Sequence, residues 1–212
     1  NSPQQTILSG SEQRLGEVRS LFEARKIGFH PIAVSCAFHS PLVAQAKDAL
    51  ARFLESVDIE IPRIPVYSNT TADRYPEDAG EIRRILAEQL AHPVEFQSEI
   101  EAMYQAGIRI FLEVGPRSVL TTLVTQILVG RPHLALSCDA GHRPGLTQLQ
   151  HVLAQLAVAG VDINLDPLFE SRTVRLLSLE KLPQSEPVPR HAWMITGGKA
   201  RPVSDGEIVT TG

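Results

Sequence analysis

The first third of the chain alternates short apolar runs with segments whose apolar residues recur at helical spacing. Strands are predicted by three apolar runs, at residues 5–9, 32–37 and 64–68. Amphipathic helices are predicted between them, one after Ser11 and one that starts near Ser40. This alternation indicates an α/β layer rather than a helical bundle or a β-sandwich. Two strand–helix units of this size predict a small ferredoxin-like subdomain, whose first strand would precede residue 1.

The alternation continues with longer elements in the middle of the chain. Helices are predicted at residues 77–91, 96–106, 118–129 and 146–159, and strands at residues 108–114 and 133–137. These elements are expected to form part of a larger α/β layer. Beyond Phe169 the periodicity fades, and Pro183, Pro187 and Pro189 predict an extended linker that is followed by a mobile tail.

Composition and charge narrow the classes of partner. The 212 residues are 43% hydrophobic and 21% charged, which is typical of a globular protein with a buried core. Because the net charge is -4 and the Lys and Arg residues are scattered, nucleic acid is not expected as a partner. No apolar run approaches the roughly 20 residues that span a bilayer, so no membrane insertion is expected.

The two cysteines, Cys36 and Cys138, lie far apart and form no Cys-x-x-Cys pair. Their spacing therefore indicates neither a metal site nor a disulfide framework. A reducing, cytoplasmic location fits this pattern.

His39 is the first candidate catalytic residue. It stands in the segment VSCAFHSP, at residues 34–41, between a predicted strand and a predicted helix. Strand ends and loops often present catalytic groups, and an imidazole exchanges protons near neutral pH. A histidine in this position is also often a structural hydrogen-bonding residue, so position alone leaves both interpretations open.

Residues 37–40 read Ala-Phe-His-Ser, and this core resembles the histidine motif of malonyl and related acyltransferases. Four other segments resemble motifs of that family in the same order, at residues 1–10, 64–72, 91–96 and 111–124. The last two read AHPVEF and FLEVGPRSVLTTLV. The ordered set resembles the C-terminal half of an acyltransferase domain of the malonyl-CoA:acyl carrier protein transacylase type. Such domains occur in polyketide, polyunsaturated-fatty-acid and enediyne-type synthases.

The resemblance implies a ping-pong transfer of a malonyl group from CoA to the phosphopantetheine thiol of an acyl carrier protein, by way of a serine ester. His39 would be the general base and acid, and the backbone carbonyl of Asn69 would orient its ring. No bound cofactor and no metal are implied. The family's serine stands in a Gly-His-Ser-x-Gly turn, whereas no Gly-x-Ser-x-Gly occurs in these 212 residues. The serine is therefore expected upstream, and the chain alone is expected to be inactive.

Phe38 bears on the choice of acyl unit. In the family that the chain resembles, Phe at this position accompanies malonyl units, because the ring crowds the space that an α-methyl group would fill. One methyl group is worth about 1–3 kcal/mol in such a pocket, so the preference is expected to be incomplete. The alternative is that Phe38 is simply a core residue.

Several other residues have a structural alternative that we favour. Cys36 is interpreted as a small buried strand residue rather than a partner of His39, and Ser40 as an N-cap. Glu113 takes a structural place in the family motif, and His92 is either near the substrate pocket or a turn residue. The other histidines show no metal-ligand spacing.

The chain is thus expected to have an α/β fold in four parts. They are a ferredoxin-like subdomain at residues 1–63, part of an α/β-hydrolase-like subdomain at 64–140, a helix and turn at 141–170, and a linker and tail at 171–212. Residues 153–170 resemble the helix and turn that follow the acyltransferase in iterative synthases. Residues 191–202 resemble the linker of polyunsaturated-fatty-acid, heterocyst-glycolipid and enediyne synthases, although they also fit an ordinary Pro- and Gly-containing tail.

The expected partners are malonyl-CoA, an acyl carrier protein domain, the upstream half of the acyltransferase and neighbouring synthase domains. A second function remains open at this point, which is a non-catalytic module that docks carrier proteins or braces neighbouring domains. The presence of the serine turn upstream would distinguish the enzyme from this scaffold.

Overall fold

The computed structural model of the chain describes residues 1–34, 36–141, 143–172, 193–196 and 199–202. Its contacts form two units, Asn1–Asp162 and Ile163–Gly212, which we describe separately. The described helices of the first unit are α1 (Glu12–Ala24), α2 (Ala44–Glu55), α3 (Ala79–Glu88), α4 (Phe96–Gln105), α5 (Val119–Ile127) and α6 (Gly145–Val158). Its described strands are β1 (Tyr67–Ser68), β2 (Asp73–Arg74), β3 (Ile110–Glu113) and β4 (Leu134–Ser137). All the helices predicted from periodicity are confirmed, within a few residues at their ends.

The best-packed part of the first unit is a parallel strand pair with helices against it. β3 and β4 pair from Ile110 opposite Leu134 to Glu113 opposite Ser137, and α5 provides the connection between them. Parallel neighbours need such a crossover because the chain must return to the same end of the sheet. The buried cluster consists of Ile100 on α4 with Val124, Ile127 and Leu128 on or just after α5. This cluster fixes α4 and α5 relative to the strands.

Helices α2 and α3 pack against each other, but only α3 contains buried residues. α3 buries Ile82, Ile85 and Ala87, of which Ile82 and Ile85 lie on one face at helical spacing. Its first turn is fixed by Asp78, whose carboxylate accepts the Glu81 N–H at 2.7 Å. α1 and α2 contain no buried residue. The first third of the chain is therefore held by few apolar contacts among the described residues.

The predicted strands in the first third are mostly absent from the described structure. No described residue of the runs at 5–9 and 32–37 lies in a strand, although Gln5 forms an isolated bridge with Ser2. Ile7, Ile32 and Val34 are 55%, 57% and 63% exposed. Of the run at residues 64–68, only Tyr67–Ser68 forms a strand, paired antiparallel with Asp73–Arg74. The prediction was wrong here because a strand needs a neighbour to accept and donate its hydrogen bonds, which apolar content alone does not supply. The ferredoxin-like subdomain at residues 1–63 stays a prediction.

Two strands of the second unit lie within residues 171–212, which were predicted to be a linker and tail without strands. Trp193–Thr196 (β5) and Lys199–Pro202 (β6) pair antiparallel, from Trp193 opposite Pro202 to Thr196 opposite Lys199. The predicted linker at residues 183–189 and the tail after residue 202 lie outside the described residues. Among the described helices, none has both the length and the apolar character to cross a bilayer.

The start of α5 depends on Glu113, at the end of β3. Its carboxylate accepts hydrogen bonds from the Leu120 N–H at 3.0 Å, the Thr121 N–H at 2.8 Å and the Thr121 hydroxyl at 2.7 Å. The first N–H groups of a helix have no partner within it, and a negative charge there is also favoured by the helix dipole. Burial acts to raise the pKa of Glu113, but these hydrogen bonds outweigh it and hold the pKa below its ordinary value of 4.5.

We expect Glu113→Gln to lower the free energy of unfolding by about 1 kcal/mol at neutral pH, because the amide replaces a charged cap with a neutral one. Since the folded-state pKa is lowered, the stabilisation is present above the unfolded value and is lost as the pH falls through the folded value. Thermal unfolding at about pH 7.5 and about pH 3.5 measures the difference. Glu17→Gln is the control, because Glu17 is an exposed residue of α1 that pairs only with Arg14 at 3.5 Å. An equal loss at both pH values would contradict this explanation.

Candidate active site at His39

His39 lies in a tight segment between residues 31–34 and α2, and its backbone is unusual. Its φ angle is 59°, in the left-handed region, where a residue with a side chain costs about 1–2 kcal/mol. The Phe38 carbonyl accepts the Ser9 hydroxyl at 2.6 Å, and the His39 N–H donates to the Leu90 carbonyl at 2.9 Å. Both bonds hold the peptide unit that precedes the His39 α-carbon, and they offset part of that cost.

Ser40 holds the other side of the histidine. Its side chain is buried, and its hydroxyl donates to the Ala37 carbonyl at 2.6 Å and accepts the Leu42 N–H at 3.3 Å. It is the N-cap of a short 3₁₀ turn, Pro41–Val43, that leads directly into α2. The N-cap role predicted for Ser40 is therefore confirmed, and it fixes where α2 begins relative to His39.

The imidazole of His39 binds the end of α3. Its Nδ1 lies 2.9 Å from the backbone carbonyl oxygen of Gln89, the C-cap residue of that helix. A carbonyl oxygen only accepts hydrogen bonds, so Nδ1 carries the proton. In the neutral ring Nε2 then keeps a free lone pair. The side chain is half-buried, which leaves part of the ring open to solvent in the described chain.

The acceptor at Nδ1 corrects the expectation for Asn69. The Asn69 carbonyl accepts the Glu95 N–H at 2.7 Å, and the carbonyl next to Nδ1 belongs to Gln89. Asn69 is still close to the site, because its side-chain oxygen accepts the Gln89 Nε2–H at 3.1 Å. The sequence does not single out Gln89, because the acceptor is a backbone carbonyl and every residue has one. The one feature that could have indicated Gln89 is its position at the end of a predicted helix, where backbone carbonyl groups lack partners within the helix.

Phe38 does not belong to the buried core of the described chain. Its side chain is 45% exposed, directly before His39, so the core alternative finds no support among the described residues. Cys36 is also exposed and lies in a bend, so its interpretation as a buried strand residue was wrong. Neither residue has a hydrogen bond to the His39 ring, whose Nδ1 partner is the Gln89 carbonyl.

The remaining candidates have structural places. The Glu113 carboxylate caps α5, as described above. His92 is an exposed turn residue, and its N–H and Nδ1 both bind the Glu88 carbonyl, at 3.0 and 2.9 Å. No group of three or more metal-ligating side chains comes together within the described part of the chain.

A family model and two related proteins all place this chain among the acyltransferases and the synthases that contain them. The family model described as "Acyl transferase domain" matches residues 1–163. A polyunsaturated fatty acid synthase chain of a Thraustochytrium species is 31% identical over 167 residues, which are 77% of this chain and 6% of that protein. The polyketide biosynthesis malonyl CoA-acyl carrier protein transacylase BaeC of Bacillus velezensis is 39% identical over 129 residues, or 60% of this chain and 44% of that protein.

A solved structure gives the same result at the level of the fold. The acyltransferase domain from the second module of the salinomycin polyketide synthase superposes with a TM-score of 0.67 at 28% identity. The match covers 76% of this chain and 38% of that one, so the chain spans well under half of the domain that it resembles. The mixed α/β fold predicted from the sequence agrees with this match. The chain belongs to the acyltransferase-domain family, which includes the malonyl-CoA:acyl carrier protein transacylases of polyketide and fatty acid synthesis.

Proposed function

We propose that the chain is part of an acyltransferase that moves a malonyl group from CoA to the phosphopantetheine thiol of an acyl carrier protein. The observation that carries the proposal is the ring of His39, whose Nδ1 is bound to the Gln89 carbonyl at 2.9 Å. This bond leaves Nε2 with a lone pair, which is what a general base needs. Membership of the acyltransferase family supports the class of reaction.

In the proposed first half-reaction, Nε2 of His39 takes the proton of a serine hydroxyl as the serine oxygen bonds to the malonyl carbonyl carbon. The carbon–sulfur bond then breaks, and the proton passes from Nε2 to the CoA thiolate. In the second half-reaction His39 takes the proton of the phosphopantetheine thiol, whose sulfur attacks the serine ester. The proton returns to the serine oxygen when the ester bond breaks, so no oxidant, metal or further cofactor takes part.

The Gln89 carbonyl takes the part of the orienting acceptor in this proposal. It keeps the proton on Nδ1 and faces the positive charge that develops when Nε2 takes a second proton. Asn69 acts one step further away, through the hydrogen bond between its side chain and that of Gln89. We therefore assign Asn69 to the support of Gln89 rather than to direct contact with the ring.

The serine is proposed to come from sequence that precedes this chain. No Gly-x-Ser-x-Gly occurs among the 212 residues, and this turn is what presents such a serine in the family that the sequence resembles. The exposed apolar residues of the first third also support a missing partner segment, with Val34 63% and Ile64 73% exposed. The 212 residues by themselves are proposed to be inactive for this reason.

We also propose how the chain is divided into subdomains and connecting segments. Residues 1–63 and 64–140 belong to two subdomains on either side of the site. Residues 171–212, which lie beyond the matched residues 1–163, connect to neighbouring synthase domains, whereas most of residues 141–170 belong to the matched domain. Phe38 is proposed to select malonyl units, since its side chain is exposed immediately beside His39.

We expect His39→Gln to lower acyl transfer by about 10²- to 10⁴-fold in the complete acyltransferase domain, because the variant has no proton acceptor at Nε2. Intact mass after brief incubation with malonyl-, methylmalonyl- and acetyl-CoA detects the acyl-serine adduct. His92→Gln is the matched control, since His92 also binds an α3 carbonyl but is assigned no part in the reaction. Equal adduct formation in both variants would contradict the role of His39. A folded wild-type domain that forms no adduct would favour the docking module instead.

We expect Phe38→Ser to reduce the preference for malonyl-CoA over methylmalonyl-CoA by about tenfold, because the smaller side chain leaves room for the α-methyl group. The ratio of kcat/KM values for the two substrates measures the effect. Phe169→Ser is the control, because Phe169 has a similar exposure of 49% but lies in the second unit. An unchanged ratio in Phe38→Ser would show that Phe38 has no role in selecting the acyl unit.

A further inference from the structure

The helices on either side of the site, α2 and α3, run in opposite directions. α2 starts at Ala44, shortly after His39, and His39 binds the carbonyl groups at the end of α3. The start of α2 and the end of α3 are therefore close together. At the other end of the pair, the end of α2 lies beside Arg83 in the middle of α3.

Arg83 binds two carbonyl groups at the end of α2. Its Nε–H donates to the Leu54 carbonyl and its Nη2–H to the Val57 carbonyl, each at 3.0 Å. Its side chain is half-buried between the two helices. The planar guanidinium presents donors in a fixed arrangement that reaches both acceptors, and its charge is favoured at the negative end of the α2 dipole.

The two helices thus cap each other. The end of α3 is satisfied by His39, which precedes α2, and the end of α2 is satisfied by Arg83, which belongs to α3. Gln89, the C-cap of α3, is six positions after Arg83, which corresponds to about 9 Å along the helix axis. The two sets of bonds are therefore far enough apart to fix the angle between the helices as well as their separation.

We propose that Arg83 is a positioning residue for His39, an inference that rests on the proposed function of that histidine. α2 is about 18 Å long, so a rotation of about 5° at its far end moves the other end by about 1.5 Å. Such a displacement breaks the bond between Nδ1 and the Gln89 carbonyl. Arg83 prevents that rotation by holding Leu54 and Val57 against α3.

The test compares three variants of the complete acyltransferase domain. Arg83→Met removes both bonds and keeps the length of the side chain, whereas Arg83→Lys keeps a charge and one donor. Arg84→Met is the matched control. Arg84 is the next residue of α3, and within the described part of the chain its exposed side chain pairs with Glu81 and Glu88 of the same helix alone.

We expect Arg83→Met to lower kcat for acyl transfer from malonyl-CoA about tenfold with KM changed less than twofold. A small displacement of a catalytic group slows the chemical step without removing a contact to the substrate. Arg83→Lys should recover part of the loss, and Arg84→Met should stay within about twofold of wild type. If Arg83→Met does not fold, the same split between kcat and KM is measured in Arg83→Lys.

A second comparison separates positioning from general stability. In a His39→Gln background, Arg83→Met should have no further effect on the residual rate, because the group that Arg83 positions is gone. Two results would overturn the proposal. One is an Arg83→Met rate equal to that of Arg84→Met, and the other is the same tenfold loss with and without His39. If the acyl-transfer rate is the same with and without His39, the proposed function itself is wrong. This result can be distinguished from the two results that would overturn only the role of Arg83.

Discussion

The carbonyl groups at the end of α3 have no partners within the helix, and two of them are satisfied by one residue from another part of the chain. The Leu90 carbonyl accepts the backbone N–H of His39, and the Gln89 carbonyl accepts the proton on Nδ1. The first bond sets the backbone of the histidine and the second sets its ring. Because the Gln89 carbonyl has no proton to donate, Nδ1 must carry the proton of the neutral ring. The position of the helix end therefore determines the tautomer, in which Nε2 has no proton. The proposed chemistry depends on this contact.

The contact constrains the sequence around it. A residue with a φ of 59° is held there only when its neighbours are fixed, and the neighbours of His39 are tied to Ser9 and to the Ser40 cap. Ser40 in turn starts the turn that leads into α2. The short motif at residues 37–40 therefore combines three functions that would otherwise need separate elements. It places a proton acceptor, satisfies the end of one helix and begins another.

The sequence was sufficient for the helices and for the place of His39, because helical periodicity and the Ala-Phe-His-Ser core are local signals. It was insufficient for the runs at residues 5–9 and 32–37, which were predicted to be strands, because their own composition does not encode hydrogen-bond partners. The acceptor for His39 was assigned to Asn69, whereas Gln89 holds that place. A backbone carbonyl is common to all residues, so only the arrangement of α3 identifies it. The hairpin at Trp193–Thr196 was missed because the prolines before it indicated an extended chain.

The central claim, that α3 holds the ring of His39 in one tautomer, is tested most directly by nitrogen NMR of the imidazole in the complete domain. With ¹⁵N-labelled histidine, the neutral ring of His39 should show a protonated Nδ1 and an unprotonated Nε2, and His39→Gln should remove that pair of signals. A neutral ring with its proton on Nε2 would contradict the account, since the Gln89 carbonyl could not then be its partner.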